Sequence, residues 1–179
     1  MLIRASDSAL VVIDMQERLV PAMLAPARTI RNTRTLLRAA SELGIPTLLT
    51  EQYPKGLGPT VSDIAGATNA PVIPKMHFSC MEEPAFAQAF AALGRRQVVL
   101  AGMEAHICVV QTAASLLEQD FEVFVVSDAT ASRTVESEQA CLARLSASHV
   151  GIVTTEMVVF EWLGAAGTPA FKAMLPYIK

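Results

Sequence analysis

The sequence has few cysteines and no long apolar run. Its three cysteines, Cys80, Cys108 and Cys141, include no CxxC pair, and an odd number cannot all be paired within one chain. At least one thiol is therefore free, which indicates a reducing compartment. No uninterrupted apolar stretch is long enough to cross a bilayer, so we expect no membrane partner.

Basic clusters and a secretion signal are also missing. The chain has 14 Lys and Arg against 17 Asp and Glu, a net charge of -3, which excludes a strong positive field for a nucleic-acid backbone. Residues 1–7 lack the basic region, apolar core and cleavage site of a secretory signal. We therefore expect a cytoplasmic protein that does not bind nucleic acid.

Metal and cofactor motifs are absent as well. The histidines, His77, His106 and His149, are isolated, and no two of them have metal-ligand spacing with a carboxylate. The glycine-rich segment 56–60 lacks the Lys-Ser/Thr pair of a phosphate loop. The sequence predicts no metal site and no cofactor, and it gives little support to a flavin- or nucleotide-binding domain.

Apolar residues are what the chain has in abundance. They make up 52% of its 179 residues, with a mean hydropathy of +0.40, and this length is sufficient for one core. We expect a single domain over residues 1–179. The apolar surplus favours a subunit interface, so we expect a homo-oligomer, a dimer or higher, with 157–163 as a candidate docking helix.

Short β-branched runs alternate with segments of helical periodicity. The runs predict six strands, at 9–13, 46–50, 71–74, 97–101, 122–126 and 150–153. Helices are predicted at 27–43, 83–93, 107–117 and 136–147. This alternation predicts the α/β class: a three-layer α/β/α Rossmann-like domain with a six-stranded, mostly parallel sheet.

Polar residues at the ends of these strands are the candidates for chemistry, because open α/β sheets bind ligands at the carboxyl ends of their strands. Asp14 closes the first strand, and Lys75 follows the third. Cys108 lies where a glycine turn leads from the fourth strand into a helix. The turn-rich segment 51–60 follows the second strand and is predicted to line a pocket.

Each of these three residues also has a purely structural interpretation. Unpaired N–H groups at the start of a helix would favour a Cys108 thiolate and lower the thiol pKa, but a free cysteine is as often a small packing residue. Asp14 is placed either to accept a thiol proton or to cap the next turn. Lys75 either pairs with Asp14 from the adjoining strand or extends its charge to the surface.

His106 and the two other cysteines have weaker cases. His106 precedes Cys108 by two residues, but such residues at a helix entry point in different directions. A histidine that is hydrogen-bonded within the fold, or one at the rim of the site, is therefore favoured over a Cys-His dyad. Cys80 and Cys141 are expected to be packing residues.

Taken together, these positions resemble the isochorismatase-like cysteine hydrolase superfamily, in which an Asp-Lys-Cys triad is built on a Rossmann-like sheet. The matching segments are Val12–Gln16, Lys75 with Phe78–Ser79, and Gly102–Val109. Two further segments, Thr50–Val61 and Asp128–Arg133, look most like the branch called isochorismatase-domain-containing proteins. The likeness runs from about residue 9 to residue 171.

The resemblance implies a role for each residue of the triad. Asp14 would act as general base, Lys75 would orient or stabilise the charges, and Cys108 would form a covalent acyl intermediate. It also implies a cis peptide between Met103 and Glu104, with the N–H groups of Glu104 and Cys108 directed at an oxyanion. The candidate substrate-binding residues are Gln16, Gln52, Tyr53, Phe78 and His106.

Two differences from other members of this superfamily narrow the range of reactions that we expect. No histidine lies between Thr50 and Lys75, where metal-binding nicotinamidase relatives carry histidines and an aspartate. True isochorismatases, which cleave a vinyl ether, lack the cysteine, so Cys108 points to acyl chemistry. The leading hypothesis is a cysteine-dependent hydrolase that cleaves an amide or related C–N bond in a small neutral or anionic molecule. The alternative is a non-enzymatic binding or assembly module that keeps the hydrolase fold.

Overall fold

One parallel sheet organises the chain. The computed structural model describes residues 2–178. Its strands are β1 (Ser8–Ile13), β2 (Thr47–Gln52), β3 (Val72–Lys75), β4 (Gln97–Met103), β5 (Glu122–Ala131) and β6 (Gly151–Val153). Their order is β3-β2-β1-β4-β5-β6, and all neighbours are parallel. The six predicted strands are confirmed, although β5 continues five residues beyond its predicted end.

Helices connect the strands. They are α1 (Pro26–Glu42), α2 (Pro54–Leu57), α3 (Ser62–Ala65), α4 (Pro84–Ala91), α5 (Val110–Leu117), α6 (Val135–Ala147), α7 (Thr155–Leu163) and α8 (Pro169–Met174). Local sequence explains several of their ends. The side chains of Thr134 and Thr154 accept the N–H groups of Ser137 and Met157 and so cap α6 and α7.

The sheet is covered on both faces, which confirms the predicted three-layer architecture. Leu10 and Val12 of β1 face a core formed with α1, α3, α7 and α8. Ala9, Val11 and Ile13 face a second core formed with α4, α5 and α6. Because alternate residues enter different cores, the whole of β1 is buried, and its sequence is continuously apolar.

One face of helix α7, the candidate docking helix, packs into the chain's own core while Met157 and Phe160 stay exposed, so its docking role stays a prediction. Val158, Val159 and Trp162 are buried against the chain's own sheet, and the Trp162 Nε1–H donates to Ser8 Oγ at 3.0 Å. Periodicity alone does not distinguish such a core helix from a docking helix. Within residues 2–178, no helix combines the length and apolarity needed to cross a membrane.

Sheet order determines where the candidate residues meet. Strand order reverses between β1 and β4, which is where α/β folds open a ligand crevice. Asp14 follows β1, and Cys108 follows β4. Lys75 ends β3, which is separated from β1 by β2, so the expectation that Lys75 and Asp14 lie on adjoining strands is wrong. The long lysine side chain spans the intervening strand.

A close approach between β1 and β4 underlies this crevice. Gly102 has a φ of 116°, and a Cβ at this position would lie 2.0 Å from the Ile13 carbonyl oxygen. Backbone atoms cannot yield as a flexible side chain can. Only glycine therefore allows β4 to pass so near the residue before Asp14.

We expect Gly102→Ala to lower the free energy of unfolding by about 3 kcal/mol or more, because it adds a backbone clash to an unfavourable φ. Gly94→Ala is the matched control, since Gly94 has a φ of 63° with open space around it. That control should lose only about 1 kcal/mol. Urea denaturation measures both values, and equal losses would contradict the clash.

Candidate active site

Asp14 and Lys75 form a buried ion pair. The Lys75 Nζ lies 2.8 Å from Asp14 Oδ2, and neither side chain is exposed. The second carboxylate oxygen of Asp14 accepts the Thr50 hydroxyl at 2.7 Å. Asp14 has a φ of 49°, and its N–H donates to the Thr50 carbonyl at 3.1 Å. Thr50, a polar residue within a buried strand, thus holds Asp14 through both backbone and side chain.

The ammonium group of Lys75 is enclosed by acceptors. It donates to Gln52 Oε1 at 2.7 Å and to the carbonyls of His77 and Phe78, each at 3.2 Å. Burial is the largest single influence and lowers the pKa of Lys75, but its interactions with Asp14, Cys80 and Cys108 together leave the pKa above its ordinary value. Lys75 is therefore a charged, fully bonded group, and the surface-lysine interpretation is excluded.

Cys108 completes the cluster. It lies in a π-helical turn, Ala105–Val109, which leads into α5, and the Asp14 carboxylate is near enough to raise the pKa of its thiol through charge and hydrogen bonding. The peptide between Met103 and Glu104 is cis, as the resemblance implies. The structure therefore brings together the carboxylate, ammonium and thiol that come from three separate parts of the sequence.

The pKa of the Cys108 thiol is high rather than low. Burial is the largest cause, the negative charge of Asp14 is the next, and together they raise the pKa to about 12 against the opposing effect of Lys75. The expectation that a helix N-terminus lowers this pKa is thus wrong, because desolvation and the carboxylate outweigh it. At neutral pH the thiol keeps its proton, with an acceptor in contact.

The other cysteines differ in their surroundings. Cys141 is buried, and its thiol donates to the Ala105 carbonyl at 3.0 Å. Cys80 is fully buried, with its Sγ 3.9 Å from the Thr50 hydroxyl. Burial is the largest cause that raises the pKa of each to about 11. Cys80 thus packs beside the cluster, which its sequence position did not indicate.

Two candidate substrate-binding glutamines have structural partners. The Gln16 amide nitrogen donates to the carbonyls of Gln52 and Gly58, and its oxygen accepts the Gln52 N–H. Because Gln16 is fully buried and fully bonded, it holds the loop after β2, and the prediction that it contacts substrate does not fit. The Gln52 side chain accepts a hydrogen bond from the Lys75 ammonium. Its amide nitrogen donates to the Met76 carbonyl at 2.8 Å.

The aromatic candidates lie at the rim. Tyr53 is 49% exposed and Phe78 is 54% exposed. The Tyr53 N–H donates to the Lys75 carbonyl at 2.9 Å, and the Phe78 carbonyl accepts from the Lys75 ammonium. Backbone contacts with Lys75 thus fix both aromatic residues near the buried cluster.

His106 is not the base for Cys108. Its Nδ1 lies 2.9 Å from Ser132 Oγ, whereas the thiol of Cys108 is paired with Asp14. His106 is half-buried, in accordance with the expected rim position. Nearby in sequence, Arg133 Nε lies 2.6 Å from Glu104 Oε1. Within residues 2–178, no three His, Cys, Asp or Glu side chains converge as metal ligands would.

Comparison with known proteins identifies related sequences and structures. Residues 8–157 match the family model described as the isochorismatase domain. Isochorismatase domain-containing protein 1 of Danio rerio is 42% identical over 169 residues, which cover 93% of this chain and 59% of that protein. The chain thus spans less than two thirds of the length of the first curated relatives that it matches.

Solved structures agree with the fold. The MAR1 ribonuclease of Caenorhabditis elegans is 34% identical with a TM-score of 0.93, and the match covers 99% of this chain and 92% of that one. YcaC from Pseudomonas aeruginosa, solved with hexane-2,5-diol and covalent acrylamide, is 26% identical with a TM-score of 0.92, over 98% and 91% of the two chains. These matches confirm the predicted fold class and the resemblance.

The high thiol pKa gives a first prediction about reactivity. The rate of Cys108 alkylation by iodoacetamide should rise by about tenfold per pH unit from roughly pH 7 to pH 10 without levelling, because the thiolate is the nucleophile. Asp14→Asn removes a negative charge that raises this pKa. At about pH 10, where hydroxide rather than Asp14 removes the thiol proton, it should therefore speed Cys108 alkylation by about tenfold, measured by mass spectrometry of each cysteine.

A matched control separates this local effect from net charge. Glu138 raises the pKa of Cys141, not that of Cys108. Glu138→Gln should therefore speed alkylation of Cys141 alone. Slower alkylation of Cys108 in Asp14→Asn at about pH 10 would contradict the assignment of Asp14 as the charge that raises its pKa.

The buried ion pair gives a second prediction, about stability. Lys75→Met leaves the Asp14 carboxylate buried without its cation and should lower the free energy of unfolding by about 3–5 kcal/mol. Adding Asp14→Asn removes the unpaired charge and should restore at least half of that loss. Urea denaturation of the single and double variants checks this, and additive losses would show that the pair is not coupled.

Proposed function

The chain belongs to the isochorismatase family of hydrolases, and from this premise we propose that it cleaves an amide or related C–N bond of a small molecule through Cys108. One observation carries the proposal: the Asp14 carboxylate contacts the Lys75 ammonium and lies near enough to the Cys108 thiol to raise its pKa. A buried acid, a buried cation and a thiol have no packing reason to meet. Their meeting at the crevice of an α/β sheet favours catalysis.

The first half of the reaction forms an acyl enzyme. Asp14 accepts the thiol proton as the sulfur of Cys108 attacks the substrate carbonyl carbon. The resulting oxyanion is held by the backbone N–H groups of Glu104 and Cys108. When the tetrahedral intermediate collapses, the C–N bond breaks and the leaving nitrogen takes the proton from Asp14. A thioester remains on Cys108.

The second half returns the enzyme to its starting state. Water attacks the thioester carbonyl and gives its proton to Asp14. The C–S bond then breaks, the carboxylic acid product leaves, and the sulfur recovers the proton. Because the resting thiol has a pKa of about 12, attack by sulfur depends on a proton acceptor in contact, which is the role given to Asp14.

Lys75 serves as the fixed counter-charge. Its ammonium is bonded to Asp14, Gln52 and two backbone carbonyls, so it is itself no proton shuttle. It keeps the Asp14 carboxylate in place and favours thiolate formation, since a positive charge lowers the pKa of Cys108. Thr50 and Gln52 hold these two charges in position.

Two relatives bear on the type of chemistry. The covalent acrylamide in YcaC from Pseudomonas aeruginosa supports a nucleophilic site in a protein of this fold. The Caenorhabditis elegans relative is described as a ribonuclease, but the net charge of -3 here does not favour an RNA substrate. We propose a small-molecule substrate, and the cytoplasmic location and homo-oligomeric state stay predictions.

Activity assays test the proposal. With a panel of small primary amides, we expect ammonia release that falls by about 10³-fold or more in Cys108→Ala and Asp14→Asn. An activated acyl ester should leave its acyl group on Cys108, detected by mass spectrometry. Cys141→Ser is the matched control, since Cys141 lies outside the cluster, and its ammonia release should stay within about threefold of the parent protein.

The non-enzymatic module predicts a different outcome. Acylation of Cys108 no faster than that of Cys141, together with no ammonia release from any amide, would favour the module over the hydrolase. Ammonia release that survives Cys108→Ala would contradict the nucleophile itself.

A further inference from the structure

The two cations bonded to Asp14 and Glu104 are already neutralised. Lys75 is paired with Asp14 at 2.8 Å and has three further acceptors. Arg133 is paired at 2.6 Å with Glu104, the residue that opens the turn bearing Cys108. A substrate carboxylate would therefore have to displace an existing ion pair to gain a cationic partner. Such displacement would leave Asp14 or Glu104 unpaired, which is strongly unfavourable.

Two more acids lie at the same edge of the sheet. Glu51 of β2 accepts the N–H and hydroxyl of Thr60 at 2.6 and 2.8 Å. Glu83 accepts the Met76 N–H at 3.1 Å and lies 3.4 Å from His77 Nδ1. The site is thus surrounded by more fixed negative than fixed positive charge, which opposes the approach of an anion.

The remaining cations of the neighbouring loop lie in solvent. Arg18 donates to the Gly56 carbonyl at 2.7 Å, and Lys55 belongs to α2; both are exposed. Exposed charges are screened by water and salt and contribute little to the recognition of a buried ligand. They therefore do not offset the acids around the site.

Apolar surface forms the rim instead. Tyr53, Met76 and Phe78 are 49%, 64% and 54% exposed, and each has a backbone contact to Lys75 or to its partner Gln52. Large apolar side chains that remain exposed beside a buried polar cluster offer area for a ligand to cover. The rim fits a ring or alkyl chain rather than a charged group.

From these observations we infer that the substrate is an uncharged amide whose acyl part carries an apolar ring or chain, and that carboxylate-bearing molecules are excluded by the compensated charges of the site. This inference rests on the proposed function. It also accounts for product release, because amide hydrolysis turns a neutral ligand into a carboxylate that the same acids repel.

Binding measurements that need no turnover test the inference. In Cys108→Ser, 3-phenylpropanamide should bind at least about tenfold more tightly than 3-phenylpropanoate, which has the same shape and one negative charge. It should also bind at least about tenfold more tightly than propanamide, which lacks the ring. Isothermal titration calorimetry or ligand-observed NMR measures all three. Phe78→Ala should reduce the advantage of the ring, whereas Phe160→Ala, at a similarly exposed residue on α7, should not.

A charge substitution should weaken the preference. Glu104→Gln frees Arg133 and should tighten 3-phenylpropanoate binding by at least about fivefold relative to the amide. Asp63→Asn is the matched control, because it makes the same change in net charge at the exposed Arg34–Asp63 pair, 3.4 Å apart between α1 and α3. This control should leave the ratio unchanged.

The outcomes separate this inference from the proposed reaction. Equal or tighter binding of the carboxylate, equal effects of Glu104→Gln and Asp63→Asn, or no binding of either ligand would overturn the inference. Selective amide binding without any ammonia release in the parent protein would uphold the charge preference and count against catalysis. Ammonia release from charged amides alone would uphold catalysis and overturn the preference.

Discussion

The buried contact between Asp14 and Lys75 is the interaction on which the rest of the site depends. Two opposite charges with no exposure are stable only as a pair, and each needs further hydrogen bonds. Thr50 supplies one to Asp14, and Gln52 with two carbonyls supplies those of Lys75. These bonds fix the segment after β3 around the ammonium group, which in turn fixes the rim formed by Tyr53, Met76 and Phe78.

The same pair controls the thiol. The Asp14 carboxylate raises the pKa of the Cys108 thiol and is also the group that would accept its proton. We therefore expect the thiol to lose its proton only as it attacks a substrate. Lys75 lowers the pKa of Cys108 and leaves Asp14 in place as the proton acceptor. Burial alone would leave the Cys108 thiol unreactive, but Asp14 lies beside it as a proton acceptor.

The pairing of charges at the site affects which substrate can bind as well as how the reaction proceeds. Because Lys75 and Arg133 are both paired, the positive charges beside the thiol serve the protein's own carboxylates. A ligand has apolar surface at the rim and hydrogen-bonding groups inside, and this combination favours a neutral molecule.

The fold class and the six strands could be predicted from the sequence, since buried parallel strands are continuously apolar. With the family resemblance, the sequence also pointed to Asp14, Lys75 and Cys108 as candidates near the strand ends. It could not determine that β2 separates Lys75 from Asp14, because chain order does not specify sheet order. It gave the wrong direction for the pKa of Cys108, since helix position is local and visible whereas desolvation and the carboxylate come from distant segments. The partners of Gln16, His106 and Arg133 were likewise decided only in the tertiary structure, because a polar side chain's role depends on which acceptors the folded chain brings to it.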